Sequence, residues 1–242
     1  MARKETDLRP LVLLDAGHGC DTAGKRSPIW ADGRQLLEWE LNRDLARRTQ
    51  ALLSNTDADV RLLVPEDEDI PLRVRLQRAT SQCNEHRARG GIFAQRLLVS
   101  IHANASTNGS LACHSKPGTT ACVECATQCA LRNAPRGWEC FANGGRASSR
   151  QLGELFLAFA LRMLPQDIPV RASQGDLRKH PEGHVKSEQF YMLKQPPCVT
   201  LLTENLFMDN PKDCALLLSD NGRELLAQLH ATAISEYLEI FK

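Results

Sequence analysis

Short, uninterrupted apolar runs punctuate the chain, each stopped by a polar or glycine-containing segment, and this punctuation limits the fold more than any other feature. Leu11-Val12-Leu13-Leu14 stops at Asp15-Ala16-Gly17, residues 60–64 at Pro65, residues 97–101 at His102, and residues 199–203 at Glu204. A run apolar at nearly every position suits a strand buried on both faces, as in parallel sheets, whereas a strand with one wet face alternates. Between the runs the apolar spacing turns helical. Leu41, Leu45, Thr49 and Leu52 form one stripe; Leu72, Leu76, Ala79 and Cys83 form a second, with arginines on its outer face and Gly90-Gly91 as its stop; Leu152, Leu155, Phe156, Phe159, Ala160 and Met163 form the clearest. Residues 138–142 and 190–193 read as further strands, 166–187 as a polar loop, and 211–218 and 222–237 as closing helices. Strands alternating with helices predict an α/β chain, a three-layer αβα arrangement around a mostly parallel, mixed central sheet.

The 242 residues fit one such domain, spanning 1–242, and 42% hydrophobic with 24% charged residues suits a packed core rather than disorder. Thirty Lys+Arg against twenty-nine Asp+Glu leave a net charge of +1, which argues against a nucleic-acid partner held by its phosphates. No apolar stretch approaches the roughly 18 residues of a membrane span, so no membrane insertion is expected. The first apolar run is also too short for a signal-peptide core, so the expectation is synthesis in the cytoplasm without an export signal.

In doubly wound sheets ligands collect beyond the carboxyl ends of the strands. There the sequence delivers His18 after the first run, His102 after the third and Glu204 after the run at 199–203, while Glu38 opens the first long helix near the same edge. Taken singly, each has an ordinary reading: a hydrogen-bonded loop histidine, a first-turn carboxylate facing a helix dipole, a plain strand-end residue. Together, His18, His102 and Glu38 form the ligand set of a catalytic zinc that keeps a fourth position open, and Glu204 is the unligated general acid and base. Convergence on one edge favours this reading over chance. Asp15 either orients a ligand histidine or caps the Gly17–Gly19 turn. Asn42 and Asn104 brace the loops, and His180 and His184 read as solvated loop residues.

Four segments carry a resemblance. Leu13-Leu14-Asp15-Ala16-Gly17-His18-Gly19, Glu38-Trp39-Glu40-Leu41-Asn42, Ser100-Ile101-His102-Ala103-Asn104-Ala105 and Thr203-Glu204-Asn205-Leu206-Phe207-Met208-Asp209-Asn210 occur in that order. They resemble the motifs of zinc-dependent N-acetylmuramoyl-L-alanine amidases of the amidase-3 type, and the resemblance runs from Leu11 to the C-terminus. It implies an αβα fold, Zn2+ held by His18, Glu38 and His102, and Glu204 as the catalytic residue. The implied substrate is peptidoglycan, cut between N-acetylmuramic acid and L-alanine, with no organic cofactor. Two rivals are a zinc peptidase acting on another amide and a non-catalytic cell-wall binding module; the presence of Glu204 beside a full ligand set argues against the second. The implied setting is the cell wall, as a phage lysin released from the cytoplasm or as a bacterial remodelling enzyme, with the lysin preferred.

Residues 108–136 break the pattern: they lack apolar periodicity and are rich in Cys, Gly, Pro and Thr, so they read as a Cys-rich insertion after the third strand. Cys113, Cys122, Cys125 and Cys129 could hold a second, structural zinc, although their spacing matches no common paired-knuckle pattern. Disulfides and free thiols are the other readings. Cys198 and Cys214 read as buried small residues.

Overall fold

The computed structural model describes residues 8–106 and 135–241. The insertion expected over 108–136, with its four cysteines, therefore lies outside the described residues save for Pro135 and Arg136. In chain order the elements are β1 (Leu11–Ala16), α1 (Glu38–Leu52), β2 (Asp59–Leu62), α2 (Leu72–Ala88), β3 (Arg96–Asn104), β4 (Trp138–Ala142), α3 (Ala147–Met163), β5 (Val170–Ala172), β6 (Gly175–Asp176), β7 (Lys186–Ser187), α4 (Tyr191–Lys194), β8 (Val199–Phe207), α5 (Pro211–Leu217) and α6 (Asp220–Glu239).

The sheet runs β2-β1-β3-β8-β4-β5-β6, with β7 also on β4. The strands β2, β1, β3 and β8 are parallel, β4 runs antiparallel to β8, and β6 runs antiparallel to β5. Alternate residues of the apolar runs feed two cores. Val12, Leu14, Val99 and Leu201 join α1, α3 and α6 on one face, whereas Leu11, Leu13 and Leu98 join Ala79 and Cys83 of α2 on the other. Burial on both faces is why these runs do not alternate. Among the described residues no helix is long and apolar enough to cross a membrane.

Three expectations change. Residues 190–193 form no strand: Tyr191–Lys194 is a single helical turn burying Met192 and Leu193. A four-residue apolar run has no periodicity to separate the two, and Pro196-Pro197 limits its length. The polar loop at 166–187 contains β5, β6 and β7, too short to show alternation. Arg75, expected on the outer face of α2, is only 2% exposed. Cys198 and Cys214 are buried as expected.

One buried polar chain ties β8 to α6 and to β4. His230 Nδ1 donates to the Leu226 carbonyl at 2.7 Å, so its Nε2 accepts from Thr203 Oγ1 at 2.9 Å. Asn205 Nδ2 donates to Thr203 Oγ1 and to the His102 carbonyl, while its Oδ1 accepts from Trp138 Nε1. Burial pushes the His230 imidazole down to about 4 from its ordinary 6.5. The fold thus binds fewer protons here than the unfolded chain: the stabilising contribution is complete above 6.5 and is lost as pH falls towards 4. At full burial this amounts to about 3 kcal/mol. His230→Gln should flatten the stability profile between pH 6.5 and 4 in urea titrations, and an unchanged slope would refute the assignment.

Candidate metal centre

The parallel strands all end at one edge, and the four groups singled out in the sequence meet there. Glu38, the first residue of α1, is 1% exposed. Its Oε1 lies 3.3 Å from His18 Nε2 and 3.3 Å from His102 Nδ1, and accepts the Ala103 amide at 3.2 Å. One ligand-type atom each from His18, Glu38 and His102 falls within 4.8 Å of the others, a spread that suits a single cation. Glu38 Oε2 is sealed from solvent with no hydrogen-bond partner among the described residues. A buried carboxylate oxygen left this way is costly unless a ligand takes it, so the donor set fits a divalent metal. Burial pushes the Glu38 carboxyl up, but hydrogen bonds and charge from His102 and His18 outweigh it and hold the group well below the carboxylate range.

Close packing explains the flanking glycines. His18 adopts φ +61°, a conformation rare for a side-chain-bearing residue. A Cβ on Gly17 would lie 2.1 Å from His102 Cε1, and one on Gly19 would lie 1.9 Å from the Asp69 amide nitrogen. The His18 carbonyl is held from two sides, by Arg43 Nη1 at 2.9 Å and Arg75 Nη2 at 3.2 Å. Asn42 braces the same loop by donating to the Gly17 carbonyl at 3.2 Å.

Glu204 stands directly across from His102 in the β3–β8 pairing. The register then shifts, so that Asn104 faces Phe207, and Leu206 takes φ +67°. This bulge bends β8 just past Glu204, a device that re-aims side chains beside active sites. Glu204 Oε2 is also sealed without a partner among the described residues. Burial, opposed by His102 and reinforced by Glu38 and Glu139, pushes the Glu204 carboxyl up to about 7.

Asp15 takes neither role expected of it. Its Oδ1 accepts from Arg75 and its Oδ2 from Ser100 Oγ at 2.8 Å. Asn104 meets Glu139 at 2.5 Å. His180 and His184 are exposed and lie near Glu182 and Glu154.

Glu139, Arg75, Arg43 and Asn205 belong to the surroundings of the site, and only their tertiary partners reveal it. Glu139 lies near the start of its strand, not the end, because β4 is antiparallel to β8 and brings its first residues to this edge. A cleft of about 410 Å³ opens beside His18 and His102, walled by Ile70, Leu72, Phe190 and Tyr191. A cleft of about 580 Å³ at the opposite strand ends, near Leu11 and Asp59, does not include the His18–Glu38–His102 cluster.

With this geometry in place, similarity to known proteins becomes specific. A family model described as N-acetylmuramoyl-L-alanine amidase matches residues 12–236. The chain belongs to this amidase family. The amidase AmiC of Neisseria meningitidis serogroup B is 28% identical over 246 residues, covering 95% of this chain and 53% of that protein. The endolysin of Bacillus phage SPP1 is 25% identical over 233 residues, covering 96% of this chain and 67% of its own length. The chain thus spans about half the length of the neisserial amidase. In structure, the amidase AmiC2 of Nostoc punctiforme superposes with a TM-score of 0.64 at 22% identity, over 95% of this chain and 97% of that one.

Proposed function

We propose that the chain hydrolyses the amide joining the lactyl group of N-acetylmuramic acid to L-alanine in peptidoglycan, with zinc held by His18, Glu38 and His102 and with Glu204 as general acid and base. The observation that carries this reading is the placement of Glu204, unpartnered at Oε2 among the described residues, paired across the β3–β8 ladder with His102 of a three-donor cluster. Zinc suits two imidazoles and one carboxylate, and would supply Lewis-acid polarisation of the scissile carbonyl. Glu204 takes the proton of the attacking water and delivers it to the leaving nitrogen, the burial that raises its carboxyl favouring uptake of that proton. The carbonyl carbon gains the water oxygen, the C–N bond breaks, and L-alanine leaves as a free amine. A muramyl-peptide substrate places the action at the cell wall, as a lysin or as a remodelling enzyme.

The test is digestion of purified peptidoglycan by metal-loaded protein. New L-alanine amino termini without new reducing sugars are expected. Reducing ends would make it a glycosidase, amines from another residue a peptidase, and no product a wall-binding module. Gly17→Ala is expected to displace the His102 imidazole and abolish stoichiometric zinc binding while far-ultraviolet circular dichroism stays unchanged. Retention of the full wild-type zinc count would contradict the assignment. The metal count also addresses Cys113, Cys122, Cys125 and Cys129: one ion per chain assigns them none.

A further inference from the structure

His102, Glu204, Glu139 and Arg171 lie in register on four adjacent strands, β3, β8, β4 and β5. Residues paired this way project from the same face of the sheet. With strands about 4.8 Å apart, the Arg171 backbone lies roughly 10 Å from that of Glu204, on the side away from the histidines. Glu139, 4% exposed, has both oxygens engaged. Its Oε1 accepts from Asn104 at 2.5 Å, and its Oε2 accepts from Arg171 Nε at 3.1 Å and from Lys186 Nζ.

Two cations on one carboxylate leave a net positive charge beside the row. The Arg171 and Lys186 side chains keep 35% and 24% of their surface open. Among the described residues Arg171 donates only through Nε, its guanidinium lying 5.3 Å from the centre of the Phe207 ring, and neither Nη is engaged. The next residue in the row, Asp176, turns its Oδ1 to the amides of Val170 and Arg178. Arg171 is therefore oriented by its buried partner and by an aromatic face, with its paired donors left over, the part of a guanidinium that grips a carboxylate in bidentate fashion.

We propose that Arg171 and Lys186 form a subsite for a carboxylate of the leaving peptide, with Glu139 as the buried counter-charge that holds both cations in place. This rests on the amidase reading above. An acidic residue following L-alanine in the leaving peptide would present such a carboxylate, and amidation of that group would remove its charge. In an extended peptide of about 3.4 Å per residue, that group lies about 7 Å from the scissile nitrogen, within reach of an arginine rooted two strands from Glu204.

The experiment compares zinc-loaded protein on two peptidoglycans that differ only in whether this carboxylate is free or amidated. The wild type is expected to favour the free form by about ten- to a hundredfold in kcat/KM, mostly through KM, the range of a charge-assisted hydrogen bond. In the Arg171→Gln/Lys186→Gln variant the ratio should fall towards one, and Arg171→Lys should restore part of it. Because the readout is a ratio within one preparation, a loss of folded protein cannot imitate it. Equal cleavage of both substrates by the wild type, or a ratio unmoved by the double substitution, overturns the subsite alone. No cleavage of either overturns the amidase reading and the subsite with it.

Discussion

Glu204→Gln is expected to lower amide hydrolysis on the order of 10²–10⁴-fold while the metal content stays at one ion per chain. The substitution keeps the shape of the side chain and removes only its capacity to carry a proton. Glu204 contributes no atom to the cluster formed by His18, Glu38 and His102, so metal retention separates its role from theirs. Its placement is a property of the backbone: the pairing with His102 fixes the strand position, and the bulge at Asn205 and Leu206 sets the angle. Initial rates of release of L-alanine amino groups, alongside metal analysis of the same preparation, give the result. Full activity in the variant would assign the proton transfers elsewhere, and loss of the ion would make Glu204 a ligand.

Arg75→Met is expected to destabilise the fold by about 3–5 kcal/mol, because it leaves a buried carboxylate without its counter-charge. Arg75 and Asp15 are 2% and 1% exposed, and the pair is 2.9 Å apart. The same guanidinium donates to the carbonyls of Ala16, His18 and Ile70 and to Asp69 Oδ1, at 2.6–3.2 Å. One side chain thus joins the end of β1, the His18 loop and the segment before α2. Urea unfolding measures the loss, and adding Asp15→Asn to Arg75→Met should recover part of it by removing the stranded charge. A change below about 1 kcal/mol would mean that solvent reaches the pair and that it does not hold the His18 loop.

The parts of this fold that sequence reveals are those governed by local patterning. Leu11 to Leu14 and residues 97–101 announce a sheet buried on both faces because nearly every position there is apolar. His18, Glu38, His102 and Glu204 are legible because parallel strands deliver their ends to a common edge. What stays hidden depends on tertiary context. Arg75 reads as a surface arginine until Asp15 and three carbonyls are placed around it. Glu139 is obscured by strand direction, since β4 runs against β8 and brings an amino-terminal residue to the edge where β1, β3 and β8 bring carboxyl-terminal ones. The turn at Tyr191–Lys194 and the short strands β5 to β7 are too brief for periodicity to separate helix from strand.

One metal ion is expected among His18, Glu38 and His102, with Glu204 beside it and unligated. Anomalous scattering at the zinc absorption edge, recorded from crystals of the zinc-loaded protein, tests it most directly. A single strong peak bounded by a ring nitrogen each of His18 and His102 and a Glu38 carboxylate oxygen, with Glu204 outside the coordination sphere, is the expected result. A site bare of anomalous signal in protein that hydrolyses peptidoglycan, or a peak that takes Glu204 as a ligand, would contradict it.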